Sequence, residues 1–109
     1  MPLDLPVPVV AFRDRVNAGD TDGVLALFPP DGVVIDWGRR FSGHAATRGW
    51  SDNELVGARR TLTITALVSV NPDRVVADTE WKSSFFSGLG RFTFTLERGL
   101  IKQLEIAGE

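Results

Sequence analysis

Residues Gly32 to Trp50 read GVVIDWGRRFSGHAATRGW. The run from Val33 to Trp37 is a short apolar strand, and Gly38 breaks it. The segment Arg39 to Phe41 pairs back on it, and Ser42 caps a helix over GHAATRGWSDNEL. One carboxylate, Asp36, stands inside the apolar run. Strand alternation puts Asp36 on the face of Val34, with Val33, Ile35 and Trp37 on the other. Burying a carboxylate without a partner is costly or shifts its protonation. Two readings are open. Asp36 projects into an apolar interior and moves protons, or it is a strand-end residue paired with Arg39 or Arg40 or capping the turn at Gly38.

Working toward the N-terminus, Val9, Phe12 and Val16 fall at i, i+3 and i+7 and give one apolar helical face. Gly19 stops that helix, and Asp20 or Thr21 caps a short second one over DGVLALF. Pro29 and Pro30 end it, and Asp31-Gly32 turns the chain into the strand. Toward the C-terminus the period changes to two. In TLTITALVSV, Leu62, Ile64, Ala66, Val68 and Val70 share a face. After a turn at NPDR, Val75, Ala77, Thr79 and Trp81 oppose Asp78, Glu80 and Lys82. SGLG reads as a turn into RFTFTLE, where Phe92, Phe94 and Leu96 alternate with Arg91, Thr93, Thr95 and Glu97. RG then turns the chain into LIKQLEIAG. The order is two helices, a strand pair, a helix and four antiparallel strands, an α+β fold with helices segregated on one sheet face.

A chain of 109 residues reads as one domain, residues 1–109, able to bury a core without staples. The apolar content of 43% argues for a globular protein. A net charge of −2 with scattered Lys and Arg gives no footprint for nucleic acid. The absence of cysteine excludes thiol catalysis and cysteine metal sites. No signal peptide or membrane-spanning run stands out, so the expected location is the cytoplasm. SGLGRF sits between strands and is no phosphate loop.

The stretches VNAGDTDGVLALFPPDGVVIDWG (Val16–Gly38) and FSGHAATRGW (Phe41–Trp50) resemble the nuclear transport factor 2-like superfamily. Its members include SnoaL-like cyclases, ketosteroid isomerases and scytalone dehydratase. The resemblance implies a cone: a curved, mixed or antiparallel sheet with three helices from the N-terminal half on its concave face. It also implies that Asp36 stands where ketosteroid isomerases keep their general base. Their oxyanion-donating tyrosine is matched by Phe12, and the chain contains no tyrosine. Their second donor falls near Arg91. Each such donor is worth about 2.7–4 kcal/mol, so a steroid isomerase of that design is disfavoured.

Asp36 is therefore the candidate catalytic residue. Phe12, Trp50, Trp81, Phe92 and Phe94 are candidate pocket-lining rings, although each is also an ordinary core residue. Glu54 shares a helix face with Trp50 and is assigned to the same mouth, against a solvated helix end. His44, the single histidine, and Arg91 are auxiliary candidates. His44 sits in a solvated first helical turn, and strand parity puts Arg91 opposite Phe92. A lone histidine offers no metal site, and no cofactor is expected. Two functions follow: an isomerase, cyclase or dehydratase acting through Asp36, or a non-catalytic binder or association module. The expected partners are a small apolar molecule and a second copy of the chain in a homodimer.

Overall fold

The heptad-like spacing of the first helix and the alternation of the last four strands both demand a shared interior. The computed structural model describes residues 6–54, 61–82 and 87–108, and of residues 53, 54 and 87 the backbone alone. These form helices α1 (Val7–Asn17), α2 (Thr21–Leu25) and α3 (Gly43–Glu54). The strands are β1 (Val33–Asp36), β2 (Arg39–Ser42), β3 (Thr61–Asn71), β4 (Arg74–Lys82), β5 (Ser87–Glu97) and β6 (Leu100–Ala107). They make one six-stranded sheet in the order β2-β1-β6-β5-β4-β3. Only β1 and β6 run parallel; the other neighbours are antiparallel. The result is a mixed, curved sheet with the helices on its concave face.

Local chemistry explains the boundaries. Proline in the first turn of α1 loses no helical hydrogen bond there. Gly19, at φ +72°, lets the chain leave α1. Asp20 caps α2 by accepting from the Gly23 amide at 2.9 Å. Arg48 on α3 pairs with Asp22 on α2, a hydrogen bond that raises the already high pKa of the guanidinium.

The interior is built from both layers. Val9, Phe12 and Val16 of α1 are buried, as their spacing predicts. Phe12 meets Phe94 edge-on at 5.5 Å and Phe92 at 6.3 Å, arrangements favoured by the ring quadrupole. Val75, Ala77 and Thr79 of β4 and Ile101, Leu104 and Ile106 of β6 complete the inner face. Each fully buried large aliphatic or aromatic side chain contributes about 1.5–3 kcal/mol. Asn17 closes α1 onto the edge strand β3: its amide donates to the Leu62 carbonyl and accepts from the Leu62 amide. That side chain takes the place of a missing neighbouring strand at one position of the edge.

The structure corrects four expectations. First, β3 does not keep strict alternation. Register shifts against β4, between Ile64 and Ala66 and between Leu67 and Ser69, put Leu62, Ile64, Leu67 and Val70 on the helix-bearing face, with Val70 at its exposed end. Ala66 and Val68 thereby leave the inner face, and Val68 is exposed. Second, SGLG is strand rather than turn: Gly88 pairs with Trp81 and Gly90 with Thr79. Gly88 is needed because the Trp81 indole lies over it: a Cβ there would sit 2.5 Å from Trp81 Cζ2. Third, Trp37 is a turn residue. Trp37 and Gly38, at φ +52° and +84°, form the two-residue hairpin turn between β1 and β2. A left-handed tryptophan is costly, and here its ring packs on Gly108. Ser42, the expected helix cap, belongs to β2, and its hydroxyl accepts from Arg40 Nε at 3.3 Å.

Candidate functional site

The two-residue turn fixes the register of the β1–β2 hairpin, so Asp36 faces Arg39 and Val34 faces Phe41. Residues directly opposite in an antiparallel pair share a face. All four side chains therefore point to the concave side, where Asp36 and Val34 also neighbour Ile106 and Leu104 of β6. The Asp36 side chain is 13% exposed. It is an almost buried carboxylate among apolar neighbours.

Two donors hold it, both on the same oxygen. Arg39 Nη2 donates to Oδ2 at 2.9 Å, and Trp50 Nε1, from α3, donates to Oδ2 at 2.9 Å. The Arg39 side chain is half exposed, so the pair reaches from the interior to the surface. The guanidinium lies over the Phe41 ring at 5.7 Å, and Phe41 packs on Trp50 at 6.3 Å between centroids. Asp36, Arg39, Phe41 and Trp50 thus form a closed circuit of contacts linking β1, β2 and α3.

The other carboxylate oxygen, Oδ1, accepts no hydrogen bond from the described residues. The fully enclosed, unpartnered side-chain polar atoms among them are Thr47 Oγ1 and Ser51 Oγ, so Oδ1 keeps contact with open space. Anchoring one oxygen and freeing the other suits a carboxylate that receives a hydrogen bond or a proton from a ligand.

The remaining candidates separate into groups. Trp50 is brought to Asp36 directly. Phe12, Phe92 and Phe94 pack on one another in the core, and Trp81 lies over the β5 glycines. His44 is engaged elsewhere: its Nε2 donates to the Phe28 carbonyl at 2.9 Å. Arg91 stands on the face away from the helices, in a two-pronged ion pair with Asp78 at 2.8 and 3.3 Å. The Glu54 side chain lies outside the described residues. Sequence reasoning named Arg39 or Arg40 as a partner of Asp36, of which the structure selects Arg39, but it missed the indole. Trp50 lies 14 residues away and reaches Asp36 through the packing of α3, which no local spacing encodes.

Two surface clefts lie apart from this circuit. One, of about 290 Å³, is lined by Pro29, Asp31, Glu97, Arg98, Leu100 and Lys102. The other, of about 400 Å³, runs along α1 beside Val7, Val10, Ala11, Asp14 and Arg15. Among the described residues no group of three or more His, Cys, Asp or Glu side chains is placed to hold a metal ion. No helix among them is long and apolar enough to cross a membrane.

The family model of the SnoaL-like domain matches residues 9–103. The chain belongs to the SnoaL-like family. Solved structures agree with this assignment and with the nuclear transport factor 2-like fold. A putative polyketide cyclase from Sinorhizobium meliloti is 28% identical, with a TM-score of 0.83 over 94% of this chain and 95% of that one. A Mycobacterium tuberculosis protein in complex with estradiol-17β-hemisuccinate is 25% identical, with a TM-score of 0.81 over 92% and 89%. The Δ5-3-ketosteroid isomerase of a Mycobacterium species shares the fold at 24% identity, with a TM-score of 0.81 over 94% and 90%. No curated protein matches the chain. In this SnoaL-like chain Asp36 is the one buried ionisable side chain among the described residues, held by a buried indole and a half-exposed guanidinium.

Proposed function

We propose that this SnoaL-like protein binds a small, largely apolar molecule on the concave side of its sheet, with Asp36 as the polar contact. The observation that carries the reading is the asymmetry of Asp36: Oδ2 is held by Trp50 and Arg39, and Oδ1 is open. Its neighbours Val34, Leu104 and Ile106 are buried apolar side chains, so the carboxylate stands in the kind of apolar setting in which such ligands bind. The similar protein complexed with an estradiol derivative gives this class of ligand a precedent in the fold.

Proton transfer by Asp36, as in an isomerase or cyclase, is the second reading. It is favoured by the open Oδ1, the atom from which a base would act. Phe12 weighs against the ketosteroid isomerase design, because its buried ring offers no donor to a developing oxyanion.

Native mass spectrometry of protein purified from cells tests the binding reading. The expected result is an adduct of a few hundred daltons that dissociates on unfolding (about the mass of a ligand of the drug-like size that fills such sites). A bare mass, together with no heat of binding for a panel of aromatic and steroid probes, would sink it. Solvent-deuterium exchange into a bound C–H acid tests the second reading; equal exchange in wild type and Asp36→Asn removes Asp36 as a base. We further propose that two copies associate through the sheet face bearing Asp78 and Arg91. Light scattering after size exclusion checks this, and a clean monomer excludes it.

A further inference from the structure

We infer that the ligand presents a neutral hydrogen-bond donor, an alcohol or phenol hydroxyl, to Oδ1 of Asp36, and not a carbonyl oxygen. This rests on the binding reading above and narrows its ligand class.

Few buried polar groups have hydrogen-bonding capacity left for a ligand. Among the described residues the buried polar or charged side chains are Asp36, Thr47, Ser51 and Thr79. Thr79 Oγ1 donates to the Gly90 carbonyl at 3.1 Å, and the Trp50 N–H is committed to Asp36. The Thr47 and Ser51 oxygens are fully enclosed, with no surface for a ligand atom to touch. Phe12 carries no donor. Among the buried polar side chains of the described residues, the atom neither hydrogen-bonded nor fully enclosed is Oδ1 of Asp36. A carboxylate paired with a guanidinium and an indole N–H is acceptor-only, so its complement is a donor.

Charge narrows the choice further. Arg39 already balances the carboxylate at 2.9 Å, so an ammonium would bring an excess positive charge beside the guanidinium. A neutral hydroxyl satisfies Oδ1 without that repulsion. A ketone oxygen would face a carboxylate oxygen, acceptor against acceptor, and lose the water that hydrated it without replacement.

Matched probes that differ only in the donor test this. Calorimetry or fluorescence titration compares 2-naphthol with 2-methoxynaphthalene, and estrone with estrone 3-methyl ether, on the full chain. The expected result is that each phenol binds about tenfold or more tightly than its ether, the worth of one charge-assisted hydrogen bond. In Asp36→Asn the amide oxygen takes over the contacts to Trp50 and Arg39, and the amide N–H₂ faces the ligand. The preference then collapses or inverts toward the ether. Equal affinities in the wild type, or a tighter ether, overturn the inference and leave the binding reading standing. A phenol preference that survives in folded Asp36→Asn also overturns it, because the donor is then read elsewhere. If neither pair binds, the binding reading fails and this inference fails with it. The wild-type comparison decides the matter even if the variant does not fold.

Discussion

Trp50 Nε1 and Asp36 Oδ2 are 2.9 Å apart, and this one hydrogen bond joins the inner face of α3 to the end of β1. Both partners are almost fully buried, so neither can exchange the bond for one to water without moving the helix. Trp50→Phe removes the donor and also leaves a smaller ring against Phe41. A hydrogen bond to a charged group is worth about 1.5–3 kcal/mol, and the variant is expected to lose at least that much stability. Urea denaturation with an unchanged slope measures it; a loss below about 0.5 kcal/mol would mean that Arg39 alone holds the carboxylate.

Asn17 is the corresponding tie on the opposite side of the sheet. Its side chain satisfies both backbone groups of Leu62, which is 2% exposed. Asn17→Ala leaves a buried N–H and C=O unpaired and should cost about 1–3 kcal/mol. Asn17→Asp retains the acceptor for the Leu62 amide but offers no donor, so its loss is expected to fall between the two. Thermal denaturation of the three proteins orders them, and equal melting temperatures for wild type and Asn17→Ala would show that water replaces the amide.

Gly88 is required by a neighbour rather than by its own backbone angles. A Cβ at this position would stand 2.5 Å from the Trp81 ring, so the ring must move to admit it. Gly88→Ala should destabilise by about 1–3 kcal/mol, the range for overpacking. In a Trp81→Ala background the same change should cost almost nothing. A double-mutant cycle reads the coupling directly, and additive effects would contradict the contact.

Thr47 and Ser51 carry the unpartnered hydroxyls of α3, and both are buried. Thr47→Val preserves the shape and removes the polar atom. Such a replacement is neutral or stabilising, by up to about 1 kcal/mol, where the hydroxyl had no partner. A loss of more than that on chemical denaturation would reveal a hydrogen bond to Thr47 in solution.

Much of the architecture was legible in the chain. The Val9, Phe12, Val16 spacing gave α1 its buried face, and the alternation of Phe92 and Phe94 gave β5 its inner one. These are local periodicities, and the residues themselves carry them. The return of Arg39 to Phe41 after Gly38 was legible too, although the turn takes in Trp37 as well as Gly38, and only that sets Asp36 opposite Arg39. The resemblance of the segment around Asp36 to the superfamily pattern pointed to the fold on its own.

Other features belong to the tertiary structure alone. The β3 bulges redirect Leu67 inward in place of Ala66 and Val68, because β3 must follow a curved sheet rather than its own alternation. The parallel pairing of β1 with β6 closes the sheet between segments about seventy positions apart, a contact for which no periodicity exists. Asp36 shows the division most clearly. The sequence determined that a carboxylate stands on the inner face beside Val34, and it supplied the arginine across the hairpin. Only the packing of α3 decided that an indole joins that arginine on one oxygen and leaves the other open, because that geometry depends on where a distant helix comes to rest.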